Sequence, residues 1–377
     1  MNPIYLDYAA STPLKKEVLD KMLPYMTDCY GNASSIHSFG RKQNQAVDQS
    51  RRVLAKLING SYDEMYFVSG GTEADNWALK GIAESYQEKG KHIIVSNIEH
   101  PAVLNTAKTL EDKGFEVTYL EADTEGVISL EALEKAIRKD TILVSIMFVN
   151  NEIGTIQDIK AIGRLCRERE IIFHTDAVQA FGYLAIDVKD LNIDLMSMSS
   201  HKIYGPTGIG GLYIRKGIKI KSILDGGAQE RKRRAGTHHV SGIVGFSEAA
   251  RLRYEKLDEL NQTLLSKRTY LKKQLENNFE LKVNGHSNRH PGSLNIMIKG
   301  IKGDTLLMNL DLAGIAVSAG SACSSGSIKP SHVLLAIGLT KEESKASIRM
   351  SLGDMTSYED IDYVVEKLTE IVKRLLK

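Results

Sequence analysis

The stretch YFVSGGTEADNWALKGIAESYQEKG, Tyr66–Gly90, sets the architecture. A short β-rich run, YFVS (66–69), passes through Gly70-Gly71 straight into a helical pattern. The alternation recurs downstream. HIIVS (92–96) leads to AVLNTAKTLEDKG (102–114), then FEVTYL (115–120) to SLEALEKAIRKD (129–140). TILVSIMFV (141–149) leads to DIKAIGRLCRERE (158–170), and IIFHTD (171–176), DLMSMSS (194–200) and GLYIR (211–215) close the series. Apolar strands separated by amphipathic helices predict an α/β fold, a mainly parallel sheet flanked by helices on both faces. Ligands in such sheets bind beyond the carboxyl ends of the strands, so chemistry is sought there.

From about Glu248 the texture changes. One long charged helix, EAARLRYEKLDELNQTLLSKRTYLKKQLENN (248–278), leads to SLNIMI (293–298), AVSAGSACSS (316–325) and a final helical stretch from Glu359. With 377 residues the chain exceeds one compact unit. Residues 13–250 are read as a large domain, and 1–12 with 251–377 as a smaller α+β domain. No internal repeat or low-complexity linker separates them.

The composition is that of an ordinary globular protein, with 42% hydrophobic and 25% charged residues. A formal charge of +2 argues against a dedicated nucleic-acid binder. No apolar run is long enough to span a membrane, and the first residues do not read as a signal peptide. Three cysteines, Cys29, Cys166 and Cys323, contain no C-x-x-C pair, so neither a disulfide framework nor a zinc ribbon is expected. No metal is expected, and the cytoplasm is the default compartment.

Three segments that follow strands could carry chemistry. Gly71 and Thr72 open a helix, whose N-terminal N–H groups and dipole suit a phosphate; taken alone, the segment reads more readily as a plain strand–helix turn. Asp176 ends IIFHTD with Gln179 three residues on, and its carboxylate faces either the ligand crevice or its own helix as a cap. Lys202, in SSHK (199–202), stands beside a glycine- and proline-rich turn where desolvation makes an amine nucleophilic. A phosphate turn, an aspartate and a later lysine, in that order, are the parts a pyridoxal phosphate site needs.

The matching stretches extend well beyond these three. They are YLDYAASTP, GNASSIHSFGR, SGGTEADN, EHPAVL, VNNEIGTIQDI, HTDAVQAFG, SSHKIYGPTGIGGLYIR, GGAQERKRRAGT, SAGSACSSGSIKPSHVL and SIRMSLG. Through them the chain resembles the cysteine desulfurases of the NifS/IscS type, fold-type-I pyridoxal-phosphate enzymes of the class-V aminotransferase group, over essentially its whole length. The resemblance implies conversion of L-cysteine to L-alanine, with sulfur passing as a persulfide on Cys323 to an acceptor protein, a scaffold or a tRNA thiolase. It implies that Lys202 is the Schiff-base lysine, Asp176 the partner of the pyridine nitrogen and Gln179 that of the ring oxygen. His100 would stack on the ring and act as acid/base. Gly71, Thr72, Ser199 and His201 would hold the phosphate, with Thr237 reaching in from the other subunit of a homodimer. Asn151 and Arg349 would position ring and substrate carboxylate. Ala33 and Ser200 stand where the family pattern has proline and glycine. The residues around Cys323, small and polar, agree with a thiol on an exposed loop, whereas Cys166 and Cys29 read as structural. The basic run Arg231–Arg234 reads as a solvated loop that could also meet an acidic partner.

Overall fold

The computed structural model describes residues 3–319 and 330–376. Its strands, in chain order, are β1 (Ile4–Tyr5), β2 (Met65–Val68), β3 (His92–Ser96), β4 (Glu116–Leu120), β5 (Thr141–Ser145) and β6 (Ile172–Asp176). They continue as β7 (Leu195–Ser199), β8 (Gly210–Ile214), β9 (Lys282–Val283), β10 (Ser293–Met297), β11 (Ile315–Ala316) and β12 (Ser347–Ser351). Seven of them form one sheet in the order β2-β8-β7-β6-β5-β3-β4. Every neighbouring pair from β7 to β4 is parallel, and β8 alone runs against its two neighbours. Strands β3, β5, β6, β7 and β8 are buried along their whole length. That is why β3 and β5 read as near-continuous apolar runs, whereas β6 (IFHTD) and β7 (LMSMS) bury polar side chains as well, His174 Nε2 standing 3.0 Å from Ser197 Oγ.

Two differences from the sequence reading have clear physical causes. The run 141–149 leaves the ladder after Ser145, although Ile146 and Phe148 still donate backbone bonds to His174 and Asp176. The departure carries the chain over the end of β6 toward Asn151. The single long helix at 248–278 is two, Val240–Glu255 and Leu257–Glu276, broken at Lys256 (φ −125°, ψ 27°). Just before the break, the buried Arg253 is pinned by Gly182 O (2.6 Å), Asp354 (2.8 Å) and Asn261 (3.0 Å). Anchoring there lets the second helix turn away and pack on the helix Tyr358–Leu375.

β1 pairs in parallel with β11, and β9, β10 and β12 form a separate antiparallel sheet. One continuous apolar cluster nevertheless joins Val18, Phe181 and Phe246 to Leu294, Ile348 and Val372. The free edge of β2 is closed by side chains rather than by another strand. Phe67 N–H donates to Glu230 (2.9 Å), and Met65 O accepts from Arg51 and Arg231, each at 2.7 Å. An unpaired edge is thereby removed.

Candidate active site

Beyond the carboxyl ends of β5, β6 and β7 lies a cavity of about 360 Å³. Gly71, Thr72, His100, Asn151, Asp176, Gln179, Ser199, His201, Lys202 and Arg349 all line it. Segments as far apart as 71 and 349 therefore meet where the topology says a ligand should sit. A larger hollow of about 960 Å³ between Ala33 and Arg52 is open surface, and none of its charged side chains is buried.

Lys202 closes a short turn directly after β7. Its Nζ donates to the carbonyls of Ala9 (2.6 Å) and Ala10 (2.8 Å). Burial, and then the Arg349 guanidinium, pull its pKa down to about 8, against the opposing pull of Asp176 and Asp7. An amine in that state is neutral far more often than a surface lysine and is a competent nucleophile and base. Asp176, last residue of β6, is buried and accepts from Val178 N–H (2.8 Å). Burial pushes its pKa up, and the capping alternative is met only within its own turn.

His100 caps the helix Pro101–Glu111, its Nδ1 accepting from Ala102 N–H at 3.1 Å. Burial lowers its pKa, so the ring is neutral at pH 7. The cap and a stacking role coexist, because capping fixes the plane of a ring that borders the cavity. His201 stands 3.2 Å from Ser11 Oγ, and burial takes its pKa down to about 4. Gln179 donates to Ala9 O (2.9 Å). Arg349 donates to Asn151 O (2.8 Å) and forms an ion pair with Asp7 (2.7 Å), while its buried Nε has no partner among the described residues. Part of the guanidinium is thus a structural ion pair, and part still borders the cavity.

The residues fit pyridoxal phosphate on two observations. The buried Asp176 carboxylate has no cation at ion-pair distance among the described residues, which suits a protonated ring nitrogen. At the other end, Gly71 opens the helix Gly71–Tyr86, and a Cβ there would meet Val178 Cγ2 at 2.7 Å. Only a bare backbone passes, and its first N–H groups have no intrahelical partners. Ser200 stands aside from this cradle: its N–H is used by Ile209 O (3.2 Å) and its side chain does not line the cavity.

Thr237 is exposed and lies outside its own chain's cavity. Cys323 lies outside the described residues. Sequence reasoning missed Asp75, Glu152 and His332, which also line the cavity, and Asp7, which holds Arg349. Asp75 is buried, with burial and then Asp176 raising its pKa, and lies 3.7 Å from His174 Nε2. The quoted motifs contain all four residues, but only the three-dimensional meeting of distant segments distinguishes them from their neighbours.

Comparison with known proteins agrees with this geometry. The model of the family described as aminotransferase class-V matches residues 4–364. The chain is 52% identical to the protein named cysteine desulfurase IscS of Clostridium botulinum, over 98% of this chain and 94% of that one. It is equally 52% identical to the cysteine desulfurase IscS of Methanosarcina thermophila, over 99% and 92% of the two chains. A solved structure titled NifS-like protein superposes with a TM-score of 0.93 at 37% identity, covering 99% of this chain and all of that one. The chain belongs to the aminotransferase class-V family and, within it, to the pyridoxal-phosphate-dependent cysteine desulfurases.

Proposed function

We propose that the chain takes sulfur from L-cysteine onto Cys323, releases L-alanine, and passes the sulfur to an acceptor protein serving iron–sulfur cluster assembly or tRNA thiolation. The observation that carries the reading is Lys202, desolvated at the end of β7 and facing the same cavity as Asp176 and the helix that starts at Gly71. Pyridoxal phosphate, when bound, supplies an electron sink for the pair left at the substrate Cα. Gly71, Thr72, Ser199 and His201 would hold its phosphate, Asp176 and Gln179 its ring atoms, and His100 its face.

The protein's own groups do the rest. Arg349 binds the substrate carboxylate, and Asn151, whose carbonyl orients that guanidinium, helps to place it. Lys202, neutral in a useful fraction near pH 7, takes the proton from Cα and returns it to the product side. The Cys323 thiolate attacks the substrate sulfur: the S–S bond forms, the C–S bond breaks, and its electron pair goes to Cβ, which gains a proton to become the methyl of alanine. Segments 1–12 and 251–377 act as the smaller domain carrying that cysteine.

A homodimer is part of the reading. Met26, Tyr30, Ile36 and Phe39 leave apolar side chains exposed, Ile36 at 90%, and a second copy would cover them. Thr237 of each chain is then free to complete its partner's phosphate site. No helix among the described residues is long and apolar enough to cross a membrane; the cytoplasm is the compartment this reading expects. The test is alanine and sulfide release from L-cysteine with a thiol reductant. Equal yields support the reading, and pyruvate in place of alanine would replace it with a lyase.

A further inference from the structure

We propose that His332 is a second catalytic residue of this reaction, the acceptor of the substrate thiol's proton, opposite in role to His100. The inference rests on the desulfurase reading and adds a residue to it. Both imidazoles border the cavity that holds Lys202 and Arg349. Backbone groups decide which nitrogen of each ring carries the proton. Ala102 N–H points at His100 Nδ1 (3.1 Å), so that nitrogen is bare and Nε2–H is the donor. His332 is the reverse. Its Nε2 lies 2.9 Å from the carbonyl of Glu99, and a carbonyl can only accept. Nε2 therefore carries the proton, and Nδ1 keeps a lone pair with no partner among the described residues.

The ring is also held in place. Ser331 caps the helix His332–Ala336, donates to the buried Glu152 and accepts from Leu334 N–H, and its own N–H donates to Ser344 Oγ at 2.9 Å. Val333 and Leu334 are fully buried. Of the two imidazoles that line the cavity, one keeps a free N–H and the other a free lone pair among the described residues, a division set by the fold before substrate arrives.

L-cysteine brings two mobile protons to such a site, one on Cα and one on sulfur. Lys202 is engaged with the first, so the second needs another base. In the step assigned to His332 the S–H bond breaks and its electron pair stays on sulfur. The proton bonds to Nδ1, and the ring becomes an imidazolium. Once the C–S pair has passed to Cβ, that carbon takes a proton back and the ring is neutral again; no oxidant or reductant is consumed.

His332→Gln tests the role, because a glutamine amide can still donate to Glu99 O but offers no basic lone pair. Two substrates are compared: L-cysteine, and β-chloro-L-alanine, which loses chloride and has no thiol proton. The expected result is a fall of about 100-fold in kcat on L-cysteine, with β-chloro-L-alanine turnover, cofactor absorbance and melting temperature little changed. Equal losses on both substrates would make His332 a structural residue, and no loss on either would remove it from the reaction; both overturn the proposal. If the wild type itself makes no alanine from L-cysteine, the desulfurase reading fails first and is distinguished from failure at His332. His332→Asn carries the same comparison should the glutamine variant not fold.

Discussion

The carboxylate of Glu230 offers the sharpest stability test in the molecule. It is buried and accepts four hydrogen bonds: Arg51 in a two-pronged pair (2.6 and 2.8 Å), Phe67 N–H (2.9 Å) and His238 (2.8 Å). It also anchors three consecutive non-glycine residues in left-handed conformation, Glu230, Arg231 and Lys232 (φ 45°, 58° and 65°), each costing roughly 1–2 kcal/mol. Glu230→Ala leaves the buried Arg51 without its carboxylate and the Phe67 N–H on the edge of β2 without its acceptor. Breaking such a pair costs about 3–5 kcal/mol. A second route gives a similar figure. Burial raises the Glu230 pKa, but its bonds with Arg51 and His238 outweigh that and hold it at about 2 against an ordinary 4.5, a gap corresponding to roughly 3 kcal/mol. Because the folded value is the lower one, this stabilisation is complete above about pH 4.5 and drains away as pH falls toward 2. Urea denaturation of the holoenzyme at pH 7 should therefore show Glu230→Ala less stable by about 3–5 kcal/mol. The double variant Arg51→Met/Glu230→Leu should recover most of that loss, since apolar residues replace both charges. A loss below about 1 kcal/mol, the range of surface pairs, would mean that the Arg51–Glu230 pair does not hold this edge.

Two further outcomes are expected. Gly71→Ala places a methyl 2.7 Å from Val178 Cγ2, a stiff β-branched neighbour, so it should destabilise by about 1–3 kcal/mol and let cofactor leave on dialysis; full retention with unchanged stability would mean the helix start is not the phosphate site. Arg349→Lys keeps the charge but loses the fork that holds Asn151 O and Asp7, so KM for L-cysteine should rise about 10- to 100-fold with a smaller change in kcat. An unchanged KM would assign Arg349 to structure alone.

Much of this was legible in the sequence because the signals were local. Parallel strands covered on both faces are mostly apolar, so β3 and β5 stand out from the chain, and the alternation of strands and helices places Gly71, Asp176 and Lys202 at strand ends. The reversal of β8 was not legible, since GLYIR is as short, β-rich and buried as the parallel strands of the same sheet. The break at Lys256 depends on Arg253 reaching Gly182 and Asp354, partners 71 and 101 residues away. Asp75, Glu152 and His332 were missed for a related reason: a carboxylate or imidazole on a helix or loop looks solvated until another segment covers it. The left-handed turn at 230–232 carries no glycine to announce it, because the Arg51 pair offsets the strain from outside the turn.

The most direct test follows the sulfur atom itself. The holoenzyme is mixed with L-cysteine without reductant, alkylated, digested and weighed peptide by peptide. One added sulfur atom is expected on the peptide containing Cys323, formed together with alanine, and none in Lys202→Ala. Alanine formed with Cys323 unmodified, or sulfur carried instead on Cys29 or Cys166, would contradict it.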